Sequence, residues 1–189
     1  MNPIVGLAGP IGSGKDTLAL MLTRAGFRRI KFADTLYAMA NVVDPAFHPD
    51  MPQQSKREFV LGDSNLGTRR AFLEHLGTEF GRRLVNENFW SIIARLTILQ
   101  SQVEAPSLGI VISDVRFDNE ANMIRSLGGH IVHIKPQWEC VKTGHASDAG
   151  ITFMEDDSII GAVYGRADKA YAQLLDIIKE VYSTASASN

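Results

Sequence analysis

Apolar residues fall into two arrangements along this chain. In the first they form short dense runs: Pro3 to Ala8, Gly109 to Ser113 and Ile131 to Ile134, with the more mixed Phe27 to Phe32 expected as a further strand. Runs of this length, bounded by glycine or polar residues, predict buried strands. In the second they recur every three or four positions: Leu18 and Leu22 with Met21, the stretch Thr35 to Val43, Phe72, Leu76 and Phe80 within Arg69 to Leu84, then Phe89 to Gln100, Asn119 to Ser126 and Asp168 to Tyr182. That spacing predicts helices with one apolar face. Pro45, Pro49 and Pro52 stop the helix that begins at Thr35, and the polar stretch Gln53 to Gly67 predicts loop. Strands and helices alternate, which predicts an α/β fold with a mainly parallel sheet covered on both faces.

Composition narrows the setting. The chain has 189 residues, 45% of them hydrophobic, enough for a sizeable core and short enough that one domain over about 1–182, followed by a small polar tail at 183–189, is expected. Nineteen basic residues against 21 acidic leave a net charge of −2, so no overall positive field holds nucleic acid, and an anionic ligand must be gripped locally. Cys140, the only cysteine, excludes an intramolecular disulfide and fits a reducing compartment. No apolar run approaches the roughly 20 residues that span a bilayer, and the N-terminus enters a strand and a glycine loop where a signal peptide would stand. A soluble, cytoplasmic protein with no membrane partner is expected. His48, His75, His130 and His133 show no metal-ligand spacing and read as structural.

The strongest chemical signal is GPIGSGK, Gly9 to Lys15, which matches the GxxxxGK phosphate-loop pattern with an apolar strand before it and a helical pattern after it. Glycines there allow backbone angles closed to other residues, so successive N–H groups converge on phosphate oxygens at a helix N-terminus. Ile11, Gly12, Ser13, Gly14, Lys15, Asp16 and Thr17 are therefore predicted to bind ATP, with Lys15 bridging the β- and γ-phosphates. An incidental lysine after a glycine turn is the plainer alternative, and the strand–loop–helix context argues against it. Asp16 stands where Ser or Thr usually coordinates magnesium, with Thr17 one place later. Asp16 could bind the metal, directly or through water, or simply complement the helix dipole.

A second cluster, ISDVRFDNE from Ile112 to Glu120, puts Asp114 at the carboxyl end of an apolar strand, the edge where ligands bind in open α/β sheets. If extended geometry persists, Asp114 and Arg116 project to one side, where a carboxylate and a guanidinium suit an anionic, hydroxyl-bearing acceptor. Asp118 or Asn119 is expected to cap the next helix. A third cluster is LGTEFGRR. Gly77 and Gly81 lie four apart on one helix face and weaken it by roughly 1 kcal/mol each, which points to a close backbone approach. Thr78, Glu79, Arg82 and Arg83 are beside them and Arg69 and Arg70 precede them, more guanidinium than a core needs, and arginine forks match phosphate geometry. Trp90 either fills the core or stacks on a base.

SGKDT at Ser13 to Thr17, RRAFLEHLGTE at Arg69 to Glu79 with Trp90 beyond, SDVRFDNEA at Ser113 to Ala121 and GHASDAG at Gly144 to Gly150 together resemble the bacteriophage deoxynucleoside monophosphate kinases. That resemblance implies a three-layer P-loop kinase fold with a five-stranded sheet, ATP and Mg2+ as cofactors, and a deoxynucleoside monophosphate as acceptor in deoxynucleotide biosynthesis. By it Phe32, Gly77, Thr78, Trp90, Asp114, Arg116 and Glu120 look like acceptor-site residues. The chemistry of phosphoryl transfer makes Lys15, Arg70 and Arg116 the expected catalytic residues, Lys15 neutralising the β- and γ-oxygens with magnesium at Asp16 or Thr17, and Arg70, Arg82 or Arg116 holding the acceptor phosphate. A lid over about 136–150 would carry Lys142, His145 and Asp148; the family usually shows a Glu where Asp148 stands. A homodimer is compatible with all of this. Two rivals remain: a P-loop kinase for another phosphorylated metabolite, such as phosphomevalonate or dephospho-coenzyme A, and a nucleic-acid-linked P-loop ATPase. LGTE, DVRFDNE and Trp90 argue against the first, and the net charge argues against the second.

Overall fold

The densest apolar runs become the central strands, buried on both faces, while the flanking strands mix buried and exposed positions. β1 (Ile4–Ala8) is buried at all five positions, and β2 (Phe27–Ile30), β3 (Gly109–Val115), β4 (His130–Pro136) and β5 (Ser158–Ala162) join it in one sheet. The order is β2-β3-β1-β4-β5, with every pairing parallel. This computed structural model describes residues 2–104, 107–140 and 149–187. They divide into two compact units, one drawn from Met1–Lys31 with Arg95–Asn189 and the other from Phe32–Ala94.

The sheet belongs to the first unit. Val5 and Leu7 of β1 enter a core with Leu18, Ala19 and Leu22 of α1 (Lys15–Arg24) and Ala170, Leu174 and Ile178 of α6 (Ala167–Ala187). Gly6, between them, faces the opposite way, toward Ile131 and toward Ile124 of α5 (Asp118–Ser126). Helices thus cover both faces in three layers, as the alternation of elements predicts. From β1 the chain winds outward to β2, returns to β3 between them, and then places β4 on the other flank of β1. The carboxyl ends of β1 and β3 therefore lie side by side where the winding reverses, the position at which open α/β sheets bind ligands. At the opposite end of the strands, the Tyr182 hydroxyl of α6 donates to the Ile4 carbonyl at 2.7 Å and accepts from the Ile4 N–H at 3.1 Å.

The second unit contains α2 (Ala33–Val43), α3 (Arg69–Glu74) and the first turns of α4 (Phe89–Glu104). Its core is Tyr37, Ala40, Phe47, Met51, Val60 and Leu73. Arg69, flagged above among the surplus guanidiniums, is buried there. Its Nε donates to Asp44 at 2.8 Å and its second nitrogen to Glu58 at 2.6 Å. Residues 53–67, expected as plain loop, form three short 3-10 turns over Ser55–Arg57, Val60–Gly62 and Ser64–Leu66. The single helix expected from Arg69 to Leu84 is α-helical only to Glu74 and continues as a π-helix over His75–Val85. The terminal helix runs on to Ala187, past its expected end at Tyr182. Among the described residues no helix is long and apolar enough to cross a membrane.

Candidate active site

The phosphate-loop pattern forms the turn it predicts. Gly12 and Gly14 take φ of 82° and 92°, in the left-handed region that favours glycine, and Gly14 caps the start of α1. Among the described residues, a Cβ built at either position meets nothing within 4 Å, so it is the left-handed backbone and not a close neighbour that calls for glycine here. Ser13 is fully buried, whereas Ile11, Asp16 and Thr17 are exposed. Lys15 is folded inward: its Nζ donates to the Gly9 carbonyl at 2.6 Å, the Pro10 carbonyl at 2.7 Å and Ser13 Oγ at 3.3 Å. Burial, reinforced by the positive charge of Arg116, pushes the Lys15 ammonium down from 10.5 to about 8, against the opposing pull of Asp16, Cys140 and Asp114. The same balance of forces places Asp114 and Arg116 within electrostatic reach of the loop lysine.

β3 ends at Val115, so Asp114 is its penultimate residue and Arg116 the first beyond it. Glu120 fixes that exit. It is buried, and its Oε2 accepts the backbone N–H groups of Arg116 at 2.8 Å and Phe117 at 3.2 Å. Its described contacts therefore hold the turn that presents Arg116. Neither expected cap serves α5: the N-cap is Phe117, without a side-chain cap, and the backward-reaching Glu120 satisfies the turn. Asp118 turns away to accept the Thr152 N–H at 2.7 Å and hydroxyl at 3.0 Å.

Arg29 belongs to no recognisable motif, yet its guanidinium pairs with the Asp16 carboxylate and its Nε donates to Ser113 Oγ at 3.0 Å. Two arginines in a four-residue strand mark an exposed edge. That the second one turns toward the loop is visible only once β2 is seen next to β3.

The first unit thus brings together Gly12 to Thr17, Asp114 and Arg116. Phe32, Arg70, Gly77, Thr78 and Trp90 belong to the second unit. There Trp90 is buried, donating its indole N–H to the Gly77 carbonyl at 2.8 Å, and Phe89 meets it edge-on with ring centroids 4.8 Å apart. Gly81 admits that ring, since a Cβ on it would fall 2.6 Å from Trp90 Nε1. The close approach inferred from the glycine pair is therefore made by Trp90. Phe32 is buried immediately before α2, and Arg70 donates to Gln53 at 2.8 Å. Lys142, His145 and Asp148 lie outside the described residues.

The chain is similar to known proteins in sequence and in fold. A family model for deoxynucleotide monophosphate kinase matches residues 38–163, well over half of the chain. A protein of Acanthamoeba polyphaga mimivirus, named as a deoxynucleotide monophosphate kinase, is 26% identical over 184 residues, covering 93% of this chain and 95% of its own. The deoxynucleoside-5'-monophosphate kinase of Escherichia phage T5 is 30% identical over 128 residues, which span 64% of this chain and 49% of that protein. In fold, the crystal structure of TT1252 from Thermus thermophilus superimposes with a TM-score of 0.52 at 17% identity, over 95% of this chain and 98% of that one. The chain belongs to the deoxynucleotide monophosphate kinase family.

Proposed function

We propose that the protein transfers the γ-phosphate of ATP to a deoxynucleoside monophosphate, with Gly9 to Thr17 as the ATP site and Asp114 and Arg116 at the acceptor side. The observation that carries this reading is the posture of Lys15, a buried ammonium held on loop carbonyls at the start of α1, with Arg116 and Asp114 within its electrostatic reach. An arriving triphosphate offers that ammonium stronger acceptors than the carbonyls it now uses. The acceptor monophosphate is already a nucleophilic anion, so the protein's task is to align two phosphates and cancel their charge. Lys15 cancels charge on the β- and γ-oxygens, the loop N–H groups with the α1 dipole hold the rest of the triphosphate, and Arg116 grips the acceptor phosphate. Glu120 keeps Arg116 in place through the turn. Phe32, Arg70, Gly77 and Thr78, within the second unit, are proposed to bind substrate, and Trp90 supports Gly77 through its indole N–H.

Asp16 and Thr17 offer exposed oxygen donors in the first turn of α1, which suits a hard cation that takes one or two protein oxygens and completes its shell with phosphates and water. Magnesium bound there with the nucleotide would supply positive charge on the phosphate oxygens. Incubating the protein with ATP and each deoxynucleoside monophosphate in turn, and measuring ADP, tests the reading. Release that depends on a monophosphate is expected. Lys15→Ala should reduce it by about 10²–10³-fold while the fold remains intact. Near-wild-type turnover in that variant would remove Lys15 from the mechanism, and nucleic-acid-stimulated hydrolysis without monophosphate dependence would overturn the assignment of the acceptor.

A further inference from the structure

An acidic residue directly after the loop lysine creates an electrostatic problem. Asp16 sits in the first turn of α1, where its charge suits the helix dipole but repels the phosphates that the same turn is proposed to bind. Its side chain is 75% exposed. The structure supplies a partner from outside the loop. Arg29 reaches from β2 with a side chain only 20% exposed, its guanidinium pairing with Asp16 Oδ1 while its Nε donates to the buried Ser113 Oγ at 3.0 Å. Ser113 Oγ in turn lies 3.4 Å from Asp16 Oδ1. β2, α1 and β3 each contribute one corner of a closed triangle. An arginine anchored at two nitrogens is a fixed cation, unlike a mobile surface lysine.

We propose that Arg29 is a positioning residue of the nucleotide site, a built-in counter-cation that holds Asp16 and cancels its charge so that the loop can accept nucleotide phosphates before any divalent metal is present. The proposal rests on Gly9 to Thr17 being the nucleotide site. It makes the consequence of losing Arg29 depend on metal. Without metal, Asp16 is left uncompensated beside the phosphates. With metal, a second cation takes over part of that role.

Titration calorimetry with ADP, in EDTA and in saturating Mg2+, measures this dependence directly. Arg29→Met keeps an apolar stem of similar length and should weaken ADP binding by about tenfold or more in EDTA but by about threefold or less in Mg2+. Adding Asp16→Asn to that variant should restore metal-free affinity to within about threefold of wild type. Asp16→Asn alone, which does not depend on Arg29→Met folding, should bind metal-free ADP at least as tightly as wild type. Equal losses in the two buffers, no recovery in the double variant, or weaker metal-free binding by Asp16→Asn would each show that Arg29 only packs β2 against its neighbours. Failure of the wild-type protein to bind ADP in either buffer would instead sink the nucleotide site itself.

Discussion

Lys15 is held in two incompatible ways by its surroundings. Burial and Arg116 favour the neutral amine, bringing its pKa down to about 8, while a bound triphosphate would favour the ammonium. The sign follows directly. Near neutral pH the free protein already carries the charged form, so nucleotide binding needs no proton at this site. Between about 8 and the ordinary 10.5 the free protein is increasingly neutral, and binding must bring a proton with it. The same depression means that Lys15 adds to folding stability as pH rises through that window, because the unfolded chain then holds the extra proton. Calorimetry of ATP binding in two buffers of different ionisation enthalpy should show uptake approaching one proton per nucleotide near pH 9, absent in Lys15→Met. Equal uptake by the two proteins would mean that Lys15 does not meet the phosphates. The lysine was legible in the sequence because its position in GxxxxGK defines its role. Arg29, which pairs with the neighbouring Asp16, was not, because a contact across β2, α1 and β3 leaves no local spacing to read.

At the scale of elements, periodicity located the helix that begins at Arg69 but not its type. Phe72, Leu76 and Phe80 are four apart, a spacing compatible with both i→i+4 and i→i+5 bonding, so the pattern cannot separate an α-helix from a π-helix. The wider form is marked by Asn86 N–H donating to the Gly81 carbonyl at 3.0 Å, an i→i+5 bond. The two glycines in this helix also differ in kind, although the sequence spaces them symmetrically. A methyl on Gly81 would lie 2.6–2.7 Å from three atoms of the Trp90 ring, whereas one on Gly77 would meet only the end of Leu36, at 3.4 Å. Gly81→Ala should therefore destabilise by about 1–3 kcal/mol through overpacking. Gly77→Ala should be neutral or stabilise by up to about 1 kcal/mol through backbone entropy. Urea denaturation of the two variants measures the difference, and equal effects would show that Trp90 does not set the requirement for glycine at 81.

For the whole molecule, the centre of the parallel sheet was legible because β1 and β3, buried on both faces, must be almost wholly apolar, a property each segment carries by itself; β5, half-exposed at the edge, has no such run. What the sequence concealed is how each unit anchors its polar interior, since those partners lie far apart in the chain. In the second unit, Asp44 pairs with Arg69, 25 residues away. In the first, Asp157 receives Arg125 through both carboxylate oxygens at 2.7–3.1 Å, together with His133 Nε2 and the Met154 N–H, each at 2.9 Å. Burial alone would raise both aspartates. For Asp44 the N–H groups of Ala46 and Leu61 and the Arg69 guanidinium outweigh it; for Asp157 Arg125, Met154 and His133 do so, and both carboxyls fall below their ordinary value. A carboxyl depressed in the folded state contributes stability that is complete above its unfolded value, near 3.8, and is lost as pH falls through its lower folded value. Asp157→Asn keeps the shape but removes the charge facing Arg125, and should cost about 3 kcal/mol at neutral pH. As pH falls below about 3.8 the unfolded carboxyl takes up its proton before the folded one does, so the wild-type advantage, and with it the gap between the two proteins, should narrow toward the lower folded value. Urea titrations of both at pH 7 and pH 3 test this, and a gap that stays constant with pH would show that the geometry of the Asp157 hydrogen bonds, not its negative charge, holds β4 and β5 to α5.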